Sequence, residues 1–294
     1  MRYLNAFHLP TLGEESKFVV TNQKFDMTCY TVNNPYPFHI FPQKGLTHIE
    51  FSPITIFCGG NGCGKSTLLN IIAEKLKISR TALFNSTPFF EDYLKMCSAD
   101  IAYKGSIPNE SRIITSDDVF DFLLDVRHIN QGIDSDRQAL FDEWKAYRKG
   151  GGFQMTSLAD YDELKKRNRA RHTTRSAYAH RHLPDQLYGK SNGESAYAYF
   201  TDKIRDNALY LLDEPENSLS VQLQIQLAQY LEESVRFYGC QLVMSTHSPI
   251  LLSLKGARIY NLDANPVCEC KWTTLENVRT WYDFFESHRH EFES

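Results

Sequence analysis

The 294 residues carry 42% hydrophobic, 23% charged and 13% aromatic side chains, an ordinary globular composition that excludes a mostly disordered, collagen-like or fibrous chain. The length is about twice the commonest domain size, so one large domain or a core with a sizeable insertion is expected. The formal net charge of −4 does not point to nucleic acid as a whole, but it is unevenly placed. Eleven Lys and Arg stand against four acids between Lys145 and Lys190, so that stretch carries +7 and the remainder −11. No apolar run approaches the roughly 18–20 residues that cross a bilayer, and the opening MRYLNAFHLPTLGEESK lacks the apolar core of a secretory signal. A cytoplasmic protein without a membrane partner is the expectation. Seven scattered cysteines fit a reducing compartment, and Cys268-x-Cys270, with no second pair at zinc-site spacing, reads as ordinary thiols.

In chain order, the first clear unit is strand, loop, helix. Ile54 to Phe57 is a β-prone run, Cys58 to Lys65 is glycine-rich, and Ser66 to Lys77 places Leu68, Leu69, Ile71, Ile72 and Leu76 at helical spacing. Within the loop, Gly59, Gly60, Asn61, Gly62, Cys63, Gly64, Lys65 and Ser66 satisfy G-x-x-x-x-G-K-[ST]. Glycines let successive backbone N–H groups converge on a phosphate at a helix N-terminus, where unpaired donors and the helix dipole favour anions. Lys65 would reach the β and γ phosphates, the Ser66 hydroxyl would ligate Mg²⁺, and Thr67 would support the phosphate shell.

From Thr81 to Pro108 no period is sustained. Ser116 to His128 is helix-like, with Ser116-Asp117-Asp118 as N-cap and Val119, Phe120, Leu123 and Leu124 as its packing face. A second helix is predicted from about Asp136 to Lys149, broken by Gly150-Gly151-Gly152, and a third from Leu158 to about His182. The run Lys165 to Arg175 puts positive charge around most of the helix circumference, which suits a solvated face. It also suits contact with nucleic acid phosphates, with an acidic partner, or with the phosphates of a bound nucleotide.

Ala208 to Leu212 is a continuous apolar run ending in Asp213-Glu214, as expected for a strand buried on both faces of a parallel sheet with its acids at the ligand-binding carboxyl edge. Asp213 would orient Mg²⁺ and Glu214 would polarise the water that attacks the γ-phosphate. An acidic pair there also serves as a helix cap, which Pro215 permits. A second buried strand, Gln241 to Met244, ends in Ser245-Thr246-His247-Ser248-Pro249, and His247 is placed to hydrogen-bond the phosphate or attacking water.

With these landmarks in order, the chain resembles the ATP-binding-cassette (ABC) ATPases, in particular the soluble branch that includes RecF-like, structural-maintenance-of-chromosomes and overcoming-lysogenization-defect proteins. Gly59 to Thr67 looks like their Walker A, Leu209 to Glu214 like Walker B, Glu216 to Ser220 like the D-loop and His247 like the switch histidine. Ser191-Asn192-Gly193-Glu194 resembles the ABC signature with Asn192 in place of a glycine, and Ala196 to Ile204 supplies the helix behind it. The resemblance implies an α/β P-loop NTPase fold: an ABC-ATPase-like mixed or parallel sheet core with a helical insertion subdomain. The core would comprise residues 1–80 and 186–294 and the insertion 81–185, basic at 145–182. It also implies an adenine-stacking aromatic ahead of Walker A, for which Tyr36, Phe38 and Phe41 are equal candidates, and a Q-loop whose glutamine the sequence does not reveal.

The same resemblance implies an ATPase that binds ATP and Mg²⁺ and closes as a head-to-tail homodimer, Ser191, Asn192, Gly193 and Glu194 of one copy meeting the phosphates held by the other. Its cycle would switch a separately encoded effector such as a nuclease or toxin, as in bacterial defence modules, or a nucleic-acid activity. The continuation Pro215-Glu216-Asn217 is that of the soluble branch, and only 47 residues follow His247, too few for an appended nuclease domain. The alternatives are the ATP-binding subunit of a membrane transporter and a nucleotide-gated scaffold with little turnover.

Overall fold

In the computed structural model the described residues are 2–21, 35–102, 106–149, 161, 165–167, 170, 173–174, 178 and 191–293. They form two compact units, one of residues 1–119 with 192–294 and one of residues 120–191. The first unit is built on a six-stranded sheet. In chain order its strands are β3 (Ile54–Cys58), β5 (Arg112–Ile114), β6 (Leu209–Asp213), β7 (Gln241–Ser245), β8 (Arg258–Asn261) and β9 (Cys268–Cys270), in spatial order β5-β6-β7-β3-β8-β9. The first five in that spatial order run parallel and β9 is antiparallel to β8. Every residue of β3 and β7, and Leu209 to Leu212 of β6, is buried, which is why these segments are apolar without alternation. The α/β class with a parallel-dominated sheet is the one the sequence led us to expect.

A second, three-stranded antiparallel sheet has the order β2-β1-β4, from β1 (Leu4–His8), β2 (His48–Glu50) and β4 (Ser98–Ile101). Sequence periodicity did not reveal it. Buried Gln241 joins the two sheets: its side-chain oxygen accepts from the N–H groups of Tyr3 and Leu4 at 2.7 and 2.9 Å, and its amide donates to the carbonyls of Leu4 and Ser52. The main core fills the space between the sheets with Phe7, Phe41, Ile49, Phe51, Phe57 and the inner face of α2 (Lys65–Leu76), where Leu68, Leu69, Ile71 and Ile72 are fully buried. The N-terminal α1 (Leu12–Thr21) and short α3 (Phe90–Met96) also belong to this unit.

Two expectations are corrected. The helices predicted over 116–128 and 136–149 are a single helix, α4 (Ser116–Lys149), of 34 residues. Its N-cap is Thr115 rather than the Ser116-Asp117-Asp118 group: Thr115 Oγ1 accepts from the Asp118 N–H at 3.3 Å while the Asp118 carboxylate accepts from the Thr115 N–H and hydroxyl at 2.8 Å. The other Asp118 oxygen accepts from the Ala82 N–H, also at 2.8 Å. Of the helix predicted over 158–182, only residues 161, 165–167, 170, 173–174 and 178 are described, and Arg169, Arg171, Arg175, Arg181 and Lys190 of the basic stretch lie outside the described residues. After the insertion come α5 (Asn192–Lys203), α6 (Val221–Phe237), α7 (Pro249–Leu252), α8 (Glu276–Ser287) and α9 (Arg289–Phe292).

Candidate nucleotide site

The glycine-rich loop joins β3 to α2 at the carboxyl edge of the large sheet. Gly59, Gly62 and Gly64 have φ of 149°, 79° and 104°, a backbone that favours glycine. A Cβ on Gly59 would also stand 2.7 Å from Cys63 Sγ, so the turn leaves no room for a side chain there. Burial pushes the thiols of Cys58 and Cys63 upward, which keeps them protonated packing groups rather than nucleophiles. Two residues that sequence reasoning missed brace the loop. Lys44 donates to the carbonyls of Cys63 and Leu262 at 2.9 and 2.8 Å, and the Asp263 carboxylate accepts from the Gly60 N–H at 2.6 Å. Both lie far from the loop in sequence, so no local pattern marks them.

Lys65 is buried, with its ammonium 3.0 and 3.2 Å from the carbonyls of Gly59 and Gly60. The same nitrogen is 2.7 Å from His247 Nε2 and 3.7 Å from Glu214 Oε1, and His247 Nε2 is 3.4 Å from that carboxylate oxygen. Thus α2, the end of β6 and the end of β7 bring Lys65, Glu214 and His247 to one point. An ammonium only donates, so His247 Nε2 is the acceptor in that contact. Glu214 has φ of 49° and is fixed by its N–H donating to the Ser245 carbonyl at 3.0 Å.

Beside this point the Ser66 hydroxyl donates to Asp213 Oδ1 at 3.1 Å, and Ser245 Oγ donates to the same oxygen. Burial raises the Asp213 carboxyl above the usual carboxylate range, opposed by these two hydroxyls; adjacent Glu214 adds to the rise and Lys65 opposes it. Glu216 ties the acidic turn to the histidine turn, one carboxylate oxygen accepting from the N–H groups of His247 and Ser248 at 2.6 and 3.1 Å. Asn217 donates to Glu214 at 3.1 Å. Glu216, seen in sequence only as part of a D-loop likeness, is therefore the clamp on the His247 turn.

Two cavities flank the loop. One of about 300 Å³ is lined by Gly59, Gly60, His247, Asp263 and the start of α8. The other, about 690 Å³, takes in Ser66, Thr67, Asp213, Glu214, Tyr36 and the turn Thr115–Asp117 after β5. Of the three aromatic candidates, Phe38 and Phe41 are buried in the core, whereas Tyr36 lines the larger cavity and its hydroxyl donates to Thr67 Oγ1 at 3.2 Å. Asn61 and Gly62 are exposed at the loop tip. Asn192, Gly193 and Glu194 form the first turn of α5, just after Ser191, and line neither cavity. Gly193 packs closely: a Cβ there would be 2.9 Å from Leu223 Cδ1 and 3.2 Å from the Ser218 carbonyl.

The loop, the acidic strand end and the histidine turn stand on adjacent parallel strands, and the family model described as ABC transporter matches residues 47–217, more than half of the chain. The chain belongs to the ABC transporter family. Its matched span runs from just ahead of β2 through the glycine-rich loop and the acidic strand end to Asn217, and the model of an AAA ATPase domain matches residues 192–252, from the first turn of α5 to α7. The chain is therefore an ABC-type nucleotide-binding domain. Among solved structures it is similar to the dimeric post-hydrolysis state of the ATP-binding cassette MJ0796 bound to ADP and Pi, at 16% identity and a TM-score of 0.38, over 78% of this chain and 90% of that one. It is also similar to the SmcHead bound to the C-winged helix domain of ScpA, at 14% identity and a TM-score of 0.38, over 76% of this chain and 93% of that one. No curated protein matches the chain. No described helix of this ABC-family chain is long and apolar enough to cross a membrane.

Proposed function

We infer that the chain is a cytoplasmic ATPase that binds Mg-ATP, closes head to tail with a second copy and uses the cycle to switch a separately encoded effector, such as the nuclease or toxin of a defence module. The observation that carries the reading is the meeting of Lys65, Glu214 and His247 at one point beside the Ser66–Asp213 pair. With the triphosphate in the glycine loop, backbone N–H groups and Lys65 would hold the β and γ phosphates. The Ser66 hydroxyl and Asp213 carboxylate are hard oxygen donors of the kind Mg²⁺ takes, and the buried acid gains from a nearby cation. Those two residues would hold the ion, whose charge offsets that of the phosphate oxygens.

Glu214 would accept a proton from the attacking water as its oxygen bonds to the γ-phosphorus and the bond to the ADP oxygen breaks, giving ADP and inorganic phosphate. With Lys65 drawn to the phosphates, His247 Nε2 is released from the ammonium and would, in its Nε2–H form, donate a hydrogen bond to the γ-phosphate or the water, its turn held by Glu216. The signature residues line neither cavity of their own chain, and Asn192 and Glu194 are exposed in the first turn of a 12-residue helix, where a phosphate carried by a second copy could reach them. Nucleic acid contact by the 145–182 stretch rests on its charge alone.

Turnover tests this reading. Wild type should release phosphate from Mg-ATP, Lys65→Ala should lose nucleotide binding, and Glu214→Gln should bind ATP while its turnover falls by about 10²-fold or more. Wild-type turnover in Glu214→Gln removes the base role. ATP-dependent self-association without measurable turnover in wild type would select the nucleotide-gated scaffold instead.

A further inference from the structure

The last two helices present an apolar surface that the nucleotide site does not use. Leu275 and Val278 are buried in the first unit, but every residue from Arg279 to Ser287 is exposed. Among them Trp281, Tyr282, Phe284 and Phe285 are each about half exposed (50–55%), and Phe292 of α9 is 73% exposed. Within α8, Trp281 and Phe285 share one face at a spacing of four, continuing from buried Val278, and Phe292 of α9 adds a ring beside Phe285. The rings form a continuous layer, Trp281 stacked on Phe285 at 5.9 Å and Phe285 against Phe284 and Phe292 at 5.5 and 6.2 Å. An aromatic side chain has roughly 150–250 Å² to bury, so five rings at this exposure leave on the order of 500 Å² of apolar surface. That is within the upper range of the largest patch on a monomer and more than half of the ~800 Å² that each side of a standard interface contributes.

Charge selects the occupant. Glu276, Asp283, Glu286, Glu291 and Glu293 stand against two arginines, a formal −3 over residues 276–293. Both arginines are engaged within the helices, Arg279 with Asp283 at 3.9 Å and Arg289 with Glu286 and Glu293 at 3.6 and 2.7 Å. A second copy would set one acidic face against another, and nucleic acid would bring more negative charge. A cationic segment with apolar anchors meets opposite charge around the rim and aromatic faces that attract guanidinium and ammonium groups. We propose that the aromatic face of α8 and α9 is the docking site for a basic, amphipathic segment of a partner protein. The start of α8 lines the same cavity as Gly59, Gly60 and His247, and Asn277 donates to the His247 carbonyl at 3.1 Å. Resting on the nucleotide reading above, docking is coupled through this contact to the His247 turn.

The test uses the full chain and a labelled helical peptide of about three heptads, with leucine at the seam and arginine and lysine elsewhere, followed by fluorescence anisotropy. Nucleotide-free protein should bind this peptide saturably and at least about tenfold more tightly than the same peptide with glutamate at the basic positions. The variant Trp281→Ser/Phe285→Ser/Phe292→Ser, altered only at exposed positions and checked by circular dichroism, should lose about tenfold or more in affinity. Equal binding of both peptides, or undiminished binding by the variant, overturns the proposal. So does a nucleotide-free dimer that the same substitutions dissolve, because a second copy then covers the face. Adding ATP to Glu214→Gln protein should shift the peptide affinity, and an unchanged value with ATP bound overturns the coupling. Peptide binding without any ATP binding would sink the nucleotide reading and leave the docking face standing.

Discussion

Lys65, Glu214 and His247 show how one site is assembled from side chains that are each ordinary alone. The ammonium lies 2.7 Å from the imidazole and 3.7 Å from the carboxylate, while Glu216 holds the histidine turn by two backbone N–H groups. Another acid has a different fate. Glu15 of α1 is fully buried; one carboxylate oxygen accepts from the His39 N–H at 2.8 Å, and the other has no hydrogen-bond partner among the described residues. Burial raises its pKa, opposed chiefly by that hydrogen bond. A carboxyl whose folded value is raised adds stability below its unfolded value and loses it as pH rises through the folded one. Glu15→Gln, neutral throughout, should therefore gain stability relative to wild type as pH rises from 4 towards 7. Thermal melts of both proteins across that range check this, and a difference independent of pH rejects it.

At the scale of elements, the strands legible in the sequence are those buried on both faces. Ala208 to Leu212 and Leu242 to Met244 read as unbroken apolar runs because the parallel sheet covers both sides. β1 was not legible: it is five residues long and stabilised by pairing with His48–Glu50 and Ser98–Ile101, which no local pattern announces. The sequence reading ended one helix at His128 and began the next at about Asp136, but α4 runs through the interval, Gly132 included. One exposed glycine costs a helix only about 1 kcal/mol, and the ion pairs Arg137–Asp134 at 2.8 Å and Lys145–Asp142 at 3.1 Å lie along the continuous helix beyond it. Gln241 shows what an unlocal contact is worth. Gln241→Leu would orphan the buried N–H groups of Tyr3 and Leu4 at about 1–3 kcal/mol each, so chemical denaturation should show a loss of about 2–5 kcal/mol. A loss under about 1 kcal/mol would mean that the two sheets do not depend on this clamp.

For the whole molecule, the position of residues 192–194 outside the cavities beside the glycine-rich loop matters most. Asn192, Gly193 and Glu194 open α5 and line neither cavity, while Gly193 packs against Leu223 and the Ser218 carbonyl. If a second copy supplies those residues, association must follow the nucleotide. Light scattering of Glu214→Gln should show a mass near 68 kDa, twice the 34.0 kDa chain, with Mg-ATP and a monomer without it. A substitution at Gly193 by a bulkier side chain should abolish the ATP-bound dimer while leaving ATP binding by Lys65 and its loop in place. A monomer at all nucleotide concentrations would refute the head-to-tail closure.

The amino-acid order by itself marked the glycine-rich loop, the acidic strand end and the histidine turn, because each is written in a few consecutive residues whose chemistry is local. It also determined the parallel-dominated class, since runs apolar on both faces admit few other arrangements. The tertiary structure decided what depends on contacts between distant positions. Lys44 and Asp263 brace the loop, Glu216 clamps the His247 turn, Gln241 joins the sheets, and Tyr36 rather than Phe38 or Phe41 faces the cavity. Such contacts are fixed by which strands pair, and the pairing energy is shared over the whole sheet rather than stored in any segment.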